Sequence, residues 1–280
     1  MKTSMGVGME KSSYSSGEII RLDMKHGSGQ MRLLERIYDE VYLPAFPLED
    51  EQTPLDVLKD RLEKGAKSPN EFSFFVAGAD LDDVEAARLD AIGINIFYKN
   101  EQASLLAYNA VAPHAQGQGL GRSIFGAGID ACEDISRREG LKVRPAFLEV
   151  NNPEIVTEAE DVMPPQKRLE TFKKWGAQEV PIGYVQPSLG VSAESCSRLK
   201  LLHFATRAGR HADMEDTLGF LNGISRACVG AEYKSSPDFI RMEAETLAVK
   251  FGAASRGAVI MPPSPRIASQ NHILGMNRPA

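Results

Sequence analysis

The segment 111–123 constrains this chain more than any other. An apolar strand ending at Val111 runs through Pro113 into Gln116-Gly117-Gln118-Gly119-Leu120-Gly121, and a helical period begins there. Three glycines in five residues let the backbone turn sharply and let a ligand approach the main chain closely. The first N–H groups of a helix have no partner inside it, and the helix dipole places partial positive charge at that end. A strand, a glycine-rich loop and a helix start in this order predict a main-chain cradle for a pyrophosphate. Arg122, in the first turn, adds a cation. Glycine content alone also fits a tight turn before a helix with no ligand.

Two better-known glycine motifs do not fit. A Walker loop needs Gly-Lys-Ser/Thr, and Gly121-Arg122-Ser123 has no lysine. A dinucleotide fingerprint needs GxGxxG after an early strand. Gly117-Gln118-Gly119-Leu120-Gly121 is GxGxG and follows the fourth strand of the chain.

A length of 280 residues suits one large domain, or a domain with an extension. Apolar residues at 42% and charged residues at 25% exclude a wholly disordered chain. No stretch approaches the roughly 20 apolar residues of a membrane span, and the start lacks the apolar core of a signal peptide. With a net charge of −6, a dominant basic footprint is absent, so neither nucleic acid nor a membrane is an expected partner. Cys132, Cys196 and Cys228 are odd in number and widely spaced, and five histidines show no ligand spacing. They predict cytosolic thiols, a cytoplasmic protein and no metal.

Four segments follow from the patterning. Residues 1–16 read as a loose leader, 17–209 as a mixed α/β domain, 210–255 as a helical extension and 256–280 as a Pro-containing tail. Strands are predicted at 17–24, 72–77, 91–98, 104–111, 146–150, 178–186 and 199–206. Helices are predicted from about 33 to the prolines at 44 and 47, and at 54–63 with Thr53 as cap. Others follow at 120–139 and 166–175, with two more after Asp213 and Ser236.

The order Val111-x-Pro113, then Gln116-x-x-Gly119-x-Gly121, resembles the acetyl-CoA motif of the GNAT (GCN5-related N-acetyltransferase) family, (Arg/Gln)-x-x-Gly-x-(Gly/Ala). The surrounding elements look alike over about residues 17–209, and Phe172-Lys173-Lys174-Trp175-Gly176-Ala177 is similar to that family's Tyr-x-x-x-Gly-Phe/Ala. Tyr184-Val185-Gln186-Pro187 and Pro44-Ala45-Phe46-Pro47 look like elements of a poorly characterised bacterial subgroup. The resemblance implies an α+β fold with a mixed, mostly antiparallel sheet flanked by helices. It also implies an acyl-CoA-dependent N-acyltransferase that uses acetyl-CoA as co-substrate and a small or peptidic amine as acceptor. The CoA would lie between strands 104–111 and 146–150. Ala110 and Val111 would face its pantetheine arm, and Gln116, Gly117, Gln118, Gly119, Gly121, Arg122 and Ser123 its pyrophosphate. The alternative is a GNAT-like module that binds acyl-CoA without turnover, and an ATP-binding α/β protein is a weaker third reading.

The family's helix tyrosine, the usual acid, is Phe172 here, so Tyr184 or Tyr108 would have to donate instead. Glu149 is the candidate base, because its strand should border the cleft; a solvated strand carboxylate is the plainer alternative. Asn151 is a candidate for orienting substrate or for making the turn before Asn152-Pro153. Tyr108 also reads as core packing with its hydroxyl satisfied. Phe46 and Glu49, with Asp50 and Glu51, fall where the family builds its acceptor site. His114 reads as an exposed loop histidine or a phosphate contact, and Trp175 as packing its helix onto the sheet. The C-terminal helices could cover the cleft, form a homodimer face or cap the sheet.

Overall fold

A computed structural model describes residues 11–14, 17–47, 52–188 and 194–252. Its centre is one mixed sheet in the order β1-β2-β3-β4-β5-β6-β8-β7. The strands are β1 (Lys11–Tyr14), β2 (Gly17–Arg21), β3 (Asn70–Ala79), β4 (Arg88–Tyr98), β5 (Ala103–Val111), β6 (Ala146–Asn151), β7 (Gln178–Glu179) and β8 (Leu199–Phe204). Every pairing is antiparallel except β5 with β6. The helices are α1 (29–45), α2 (Leu55–Lys64), α3 (Leu120–Arg138), α4 (Pro165–Trp175), α5 (Met214–Val229) and α6 (Pro237–Gly252). The mixed, mostly antiparallel sheet flanked by helices is the one expected from the sequence, and from β2 onward the elements follow the expected order.

The period-2 pattern of the strands sorts the helices onto two faces. Even-numbered residues of β4, such as Ile92 and Ile94, share a core with Leu33, Leu34 and Ile37 of α1 and Leu58 of α2. Further along the same face, Tyr98, Leu105, Phe147 and Leu201 pack against Phe220, Leu221 and Ile224 of α5 and Met242 of α6. Phe220 is fully buried and stacks on Phe147 at 4.6 Å between ring centroids. The opposite face carries α3 and α4 through Phe125, Ile129, Ile135 and Leu169. Helix α5 therefore buries its apolar stripe against the sheet, while α6 packs on α5, adding Phe239 and Met242 to the same core and leaving Ile240, Leu247 and Val249 exposed. Asp213 begins α5 through a reciprocal capping box with Asp216, as its position in the sequence indicates.

Several expectations need correction. Residues 11–14, expected in a loose leader, pair with β2, with Lys11 opposite Ile20 and Tyr14 opposite Gly17. Main-chain pairing carries that strand, so no hydrophobic period announced it. The strand expected at 178–186 stops after Glu179 as a ladder. Pro181 has no N–H to donate, and the chain turns through Ile182 N–H to the Val180 carbonyl and Tyr184 N–H to the Ile182 carbonyl, both 2.9 Å. A lone bridge between Gln186 and Cys196 follows. Helix α1 contains a π-helical turn at Tyr38–Tyr42 and runs through Pro44 before stopping at Ala45. Thr53 does not cap α2; its hydroxyl bonds to Tyr108 instead.

One strand residue carries an electrostatic cost. His203 on β8 is 5% exposed, and neither ring nitrogen has a hydrogen-bond partner among the described residues. Burial, with His211 close by, pushes its pKa down to about 4, while Asp216 opposes the shift. A depressed histidine pKa gives stability that is present above the unfolded value and lost as pH falls toward the folded one. Between about pH 6.5 and 4 the loss should reach about 3 kcal/mol. Urea midpoints of the wild type and His203→Phe should therefore diverge on acidification, the wild type falling faster. Parallel pH profiles would contradict this.

Candidate functional site

The central event in the sheet is the parting of β5 from β6. The two strands pair at only two positions, Ser104 with Ala146 and Leu105 with Phe147. Beyond them β6 stays with β8 for four more residue pairs, Leu148 to Asn151, while β5 stays with β4. A bulge marks the split: Ile94 opposes Tyr108 and Asn95 opposes Leu106, which leaves Ala107 as an extra residue on β5. Such a bulge bends its strand and increases its twist.

Alternation along β5 fixes what faces the gap. Ala112 N–H donates to the Asp90 carbonyl at 2.8 Å, toward β4. In an antiparallel ladder, alternate residues turn their main-chain groups to opposite sides. Ala110 therefore also faces β4, and Val111 and Asn109 point their N–H and C=O groups to the side β6 has left. Of the two residues expected at the pantetheine arm, Val111 presents main-chain groups there and Ala110 does not. Gln116 Nε2 donates to the Val111 carbonyl at 3.1 Å, tying the glycine loop to the strand end.

At the loop, Gly117 and Gly119 have φ of +77° and +79°, and no atom of the described residues lies within 4 Å of where a Cβ would stand on either. Gly119 is the N-cap of α3, and no side chain caps the helix. Ser123 N–H donates to the Gly119 carbonyl at 3.2 Å and is consumed in the helix. Among the described residues, the N–H groups of Gly119, Leu120, Gly121 and Arg122 have no main-chain acceptor. The Ser123 hydroxyl donates to the same Gly119 carbonyl at 3.4 Å, so Ser123, expected at the pyrophosphate, turns both donors into its own helix. Arg122 is exposed and has no ion-pair partner among the described residues. The first turn contains no acidic residue to compete with an anion.

Asn109 is a site residue that the sequence reading missed. Its Nδ2 donates to the Gly121 carbonyl at 3.0 Å and pins the helix start to β5. The available signal was a lone polar residue two positions before Val111 in an apolar strand. Gly121 sits in a tight place: a Cβ there would press on the Trp175 ring at 3.3 Å and touch Val111 at 3.5 Å. Trp175 does pack its helix, through edge contacts with Phe125 and Phe172.

Glu149 lies two residues beyond the last β5–β6 pair, on the face that Phe147 shares with α5 and α6. Its carboxylate accepts from the Tyr184 hydroxyl through Oε1 and from Gln186 Nε2 at 2.8 Å through Oε2. Burial pushes the Glu149 pKa up, against the lowering effect of these two donors. Burial, then the Glu149 charge, holds the Tyr184 phenol well above its ordinary value, so it keeps its proton. Burial and the same carboxylate push Cys228 up to about 12. Gln186 was not singled out as a partner of Glu149 in the sequence.

The remaining candidates divide. Tyr108 and Phe46 come together with Tyr42, with centroids 4.9–5.1 Å apart. The Tyr108 hydroxyl meets Thr53 Oγ1 at 2.9 Å. Asn151 Nδ2 donates to Asp161 at 2.9 Å and fastens the insert after β6, while Asn152 makes the turn. His114 is exposed, as expected, and its Nε2 lies 2.8 Å from Asp90 Oδ1. Glu49, Asp50 and Glu51 lie outside the described residues. No group of three or more metal-ligating side chains occurs among the described residues.

Removing the tyrosine donor tests the Glu149 environment. Tyr184→Phe leaves the carboxylate with Gln186 alone, so its pKa should rise further, read by carbon NMR of the labelled carboxyl group. An unchanged or lower value would contradict the hydrogen bond.

No protein-family model matches the sequence, and no curated protein matches it. Solved structures to which the chain is similar include a protein from Bacteroides thetaiotaomicron named as an acetyltransferase from the GNAT family. It is 18% identical over 70% of this chain and 92% of that one, with a TM-score of 0.48. A spermidine N-acetyltransferase from Vibrio cholerae, in complex with CoA and spermine, is 14% identical over 66% and 94%, with a TM-score of 0.43. The ribosomal-protein-S18-alanine N-acetyltransferase from Escherichia coli is 15% identical over 66% and 92%, with a TM-score of 0.39.

Proposed function

We propose that the chain is an acyl-CoA-dependent N-acyltransferase acting on a primary amine, with acetyl-CoA as its acyl donor. The observation that carries this reading is the junction of a split sheet with an uncapped helix. Val111 turns its main chain into the gap between β5 and β6, and the N–H groups of residues 119–122 stand unused at its end. Unpaired main-chain donors at a helix start suit a pyrophosphate. An unpaired strand edge suits a ligand that carries amides of its own. The open space at Gly117 and Gly119 leaves room for close approach.

On this reading Val111 N–H polarises the thioester carbonyl as an oxyanion-type donor. Glu149 takes the proton of the attacking amine, and the upward push that burial gives its pKa makes it a stronger base for that task. Tyr184, held protonated beside it, supplies the phenol that Phe172 cannot, and returns a proton to the leaving thiolate. The C–N bond forms as the C–S bond breaks, with no covalent enzyme intermediate. Tyr108 and Phe46 border the acceptor side. A second reading, an acyl-CoA-binding module without turnover, draws on two observations: Glu149 already has two donors, and the usual helix tyrosine is Phe172. Release of CoA thiol over a panel of amines discriminates between them, since the module binds acetyl-CoA and releases none.

Gly119→Glu adds a side chain at positive φ and a negative charge at the helix start. It should weaken CoA binding by roughly tenfold or more in calorimetry. Wild-type affinity would remove the cradle from the account. Glu149→Gln should lower kcat by about a hundredfold and flatten the acid limb of the pH–rate profile, while CoA affinity stays near wild type. An unchanged profile would exclude Glu149 as the base.

A further inference from the structure

A cavity of about 230 Å³ lies away from the β5–β6 gap, between the C-terminal helices and the segment after Tyr184. Val185, Tyr233, Phe239 and Met242 form its apolar wall, and all four are buried. Val229 stands at its rim, 46% exposed. Its polar lining includes Ser225 on α5, which is 2% exposed and whose Oγ has no hydrogen-bond partner among the described residues. A buried hydroxyl without a partner costs roughly 1–3 kcal/mol, a cost that a ligand with a hydrogen-bonding group would relieve. Asp238, also in the lining, already accepts from Ser195 Oγ at 3.2 Å and has Arg241 at 3.9 Å. The unmet demand is thus for a neutral group rather than a cation.

The position of the cavity gives it a consequence. Val185 and Pro187 line it, while Tyr184 and Gln186, the residues between and before them, hold the two oxygens of Glu149. Val185 N–H lies 3.2 Å from the sulfur of Met242, across the cavity wall. Gln186 is in turn clamped by two main-chain bonds to Cys196, at 2.8 and 2.9 Å. The same four-residue segment therefore forms one wall of the cavity and both donors to the carboxylate.

We propose that this cavity is an effector site for a small neutral molecule with an apolar body and one hydroxyl group, received by Ser225, and that filling it changes the ionisation of Glu149 through Tyr184 and Gln186. At ~30 Å³ per water the space holds about seven waters, which limits the ligand to the size of a short-chain or aromatic alcohol. The coupling to acyl transfer rests on Glu149 being the base; the binding site and the effect on the carboxyl group do not.

Benzyl alcohol serves as the probe on the full chain, followed by methyl NMR, with labelled Glu149 read by carbon NMR. Saturable shifts at the Val185, Val229 and Met242 methyls are expected, with a displaced Glu149 titration curve at saturation. Ser225→Ala should fold, because it removes an unsatisfied hydroxyl, and should weaken binding about fivefold, the worth of one hydrogen bond. Toluene, which lacks the hydroxyl, should bind wild type and Ser225→Ala equally. Absence of saturable shifts, shifts centred elsewhere, or equal benzyl alcohol affinity in Ser225→Ala would overturn the site. Binding without movement of the Glu149 titration would overturn the coupling. Neither readout uses CoA or turnover, so failure here is distinguishable from failure of the acyltransferase reading.

Discussion

Main-chain hydrogen bonding withdrawn from the middle of a sheet is the constraint on which the rest depends. Buried N–H and C=O groups are rarely left unpaired, yet β5 and β6 separate after Leu105 and Phe147. The protein manages the exposed edge locally. Gln116 takes up the Val111 carbonyl, Asn109 binds the start of α3, and the bulge at Ala107 re-aims the strand. What is left over is a set of N–H groups, from Val111 and from residues 119–122, aimed at one region. A proposed ligand that carries both amides and a diphosphate meets both parts of that set.

The two faces of the sheet divide the labour. The face bearing α3 and α4 builds the junction and walls it with Phe125, Phe172 and Trp175. The face bearing α5 and α6 encloses Glu149, Tyr184 and Cys228, where burial raises the cost of every negative charge. The helical extension is thus part of the candidate site's electrostatics. Without α5 packed on Phe147, the carboxyl group would face water and lose much of that shift.

The sequence made the sheet's centre legible because its signals are local. Ile92, Ile94, Ile96 and Tyr98 alternate cleanly, and Gly117, Gly119 and Gly121 punctuate a strand-to-helix junction. The capping of α5 by Asp213 was equally local. What escaped was pairing that side chains do not announce. β1 joins the sheet through Ser12 and Ser13 as readily as through any apolar residue. The apolar run after Gln178 looks like a strand, but Pro181 breaks its ladder. At the site, Glu149 was visible as a strand carboxylate. Its partner Gln186 lies 37 residues away, and only the turns after Val180 bring it back to β6. Asn109 was missed, and Thr53 was read as a helix cap, for a similar reason: their partners, Gly121 and Tyr108, are set by tertiary packing rather than by spacing.

The central claim is that the main chain at the end of β5 and the start of α3 grips the carrier arm of an acyl donor. The most direct measurement is a titration of the nitrogen-labelled protein with CoA, following backbone amide resonances. The account predicts that the largest saturable shifts fall on Val111 and on residues 117–122, with Arg122 among them. Shifts confined to another part of the surface, or no saturable shift at millimolar CoA, would contradict it.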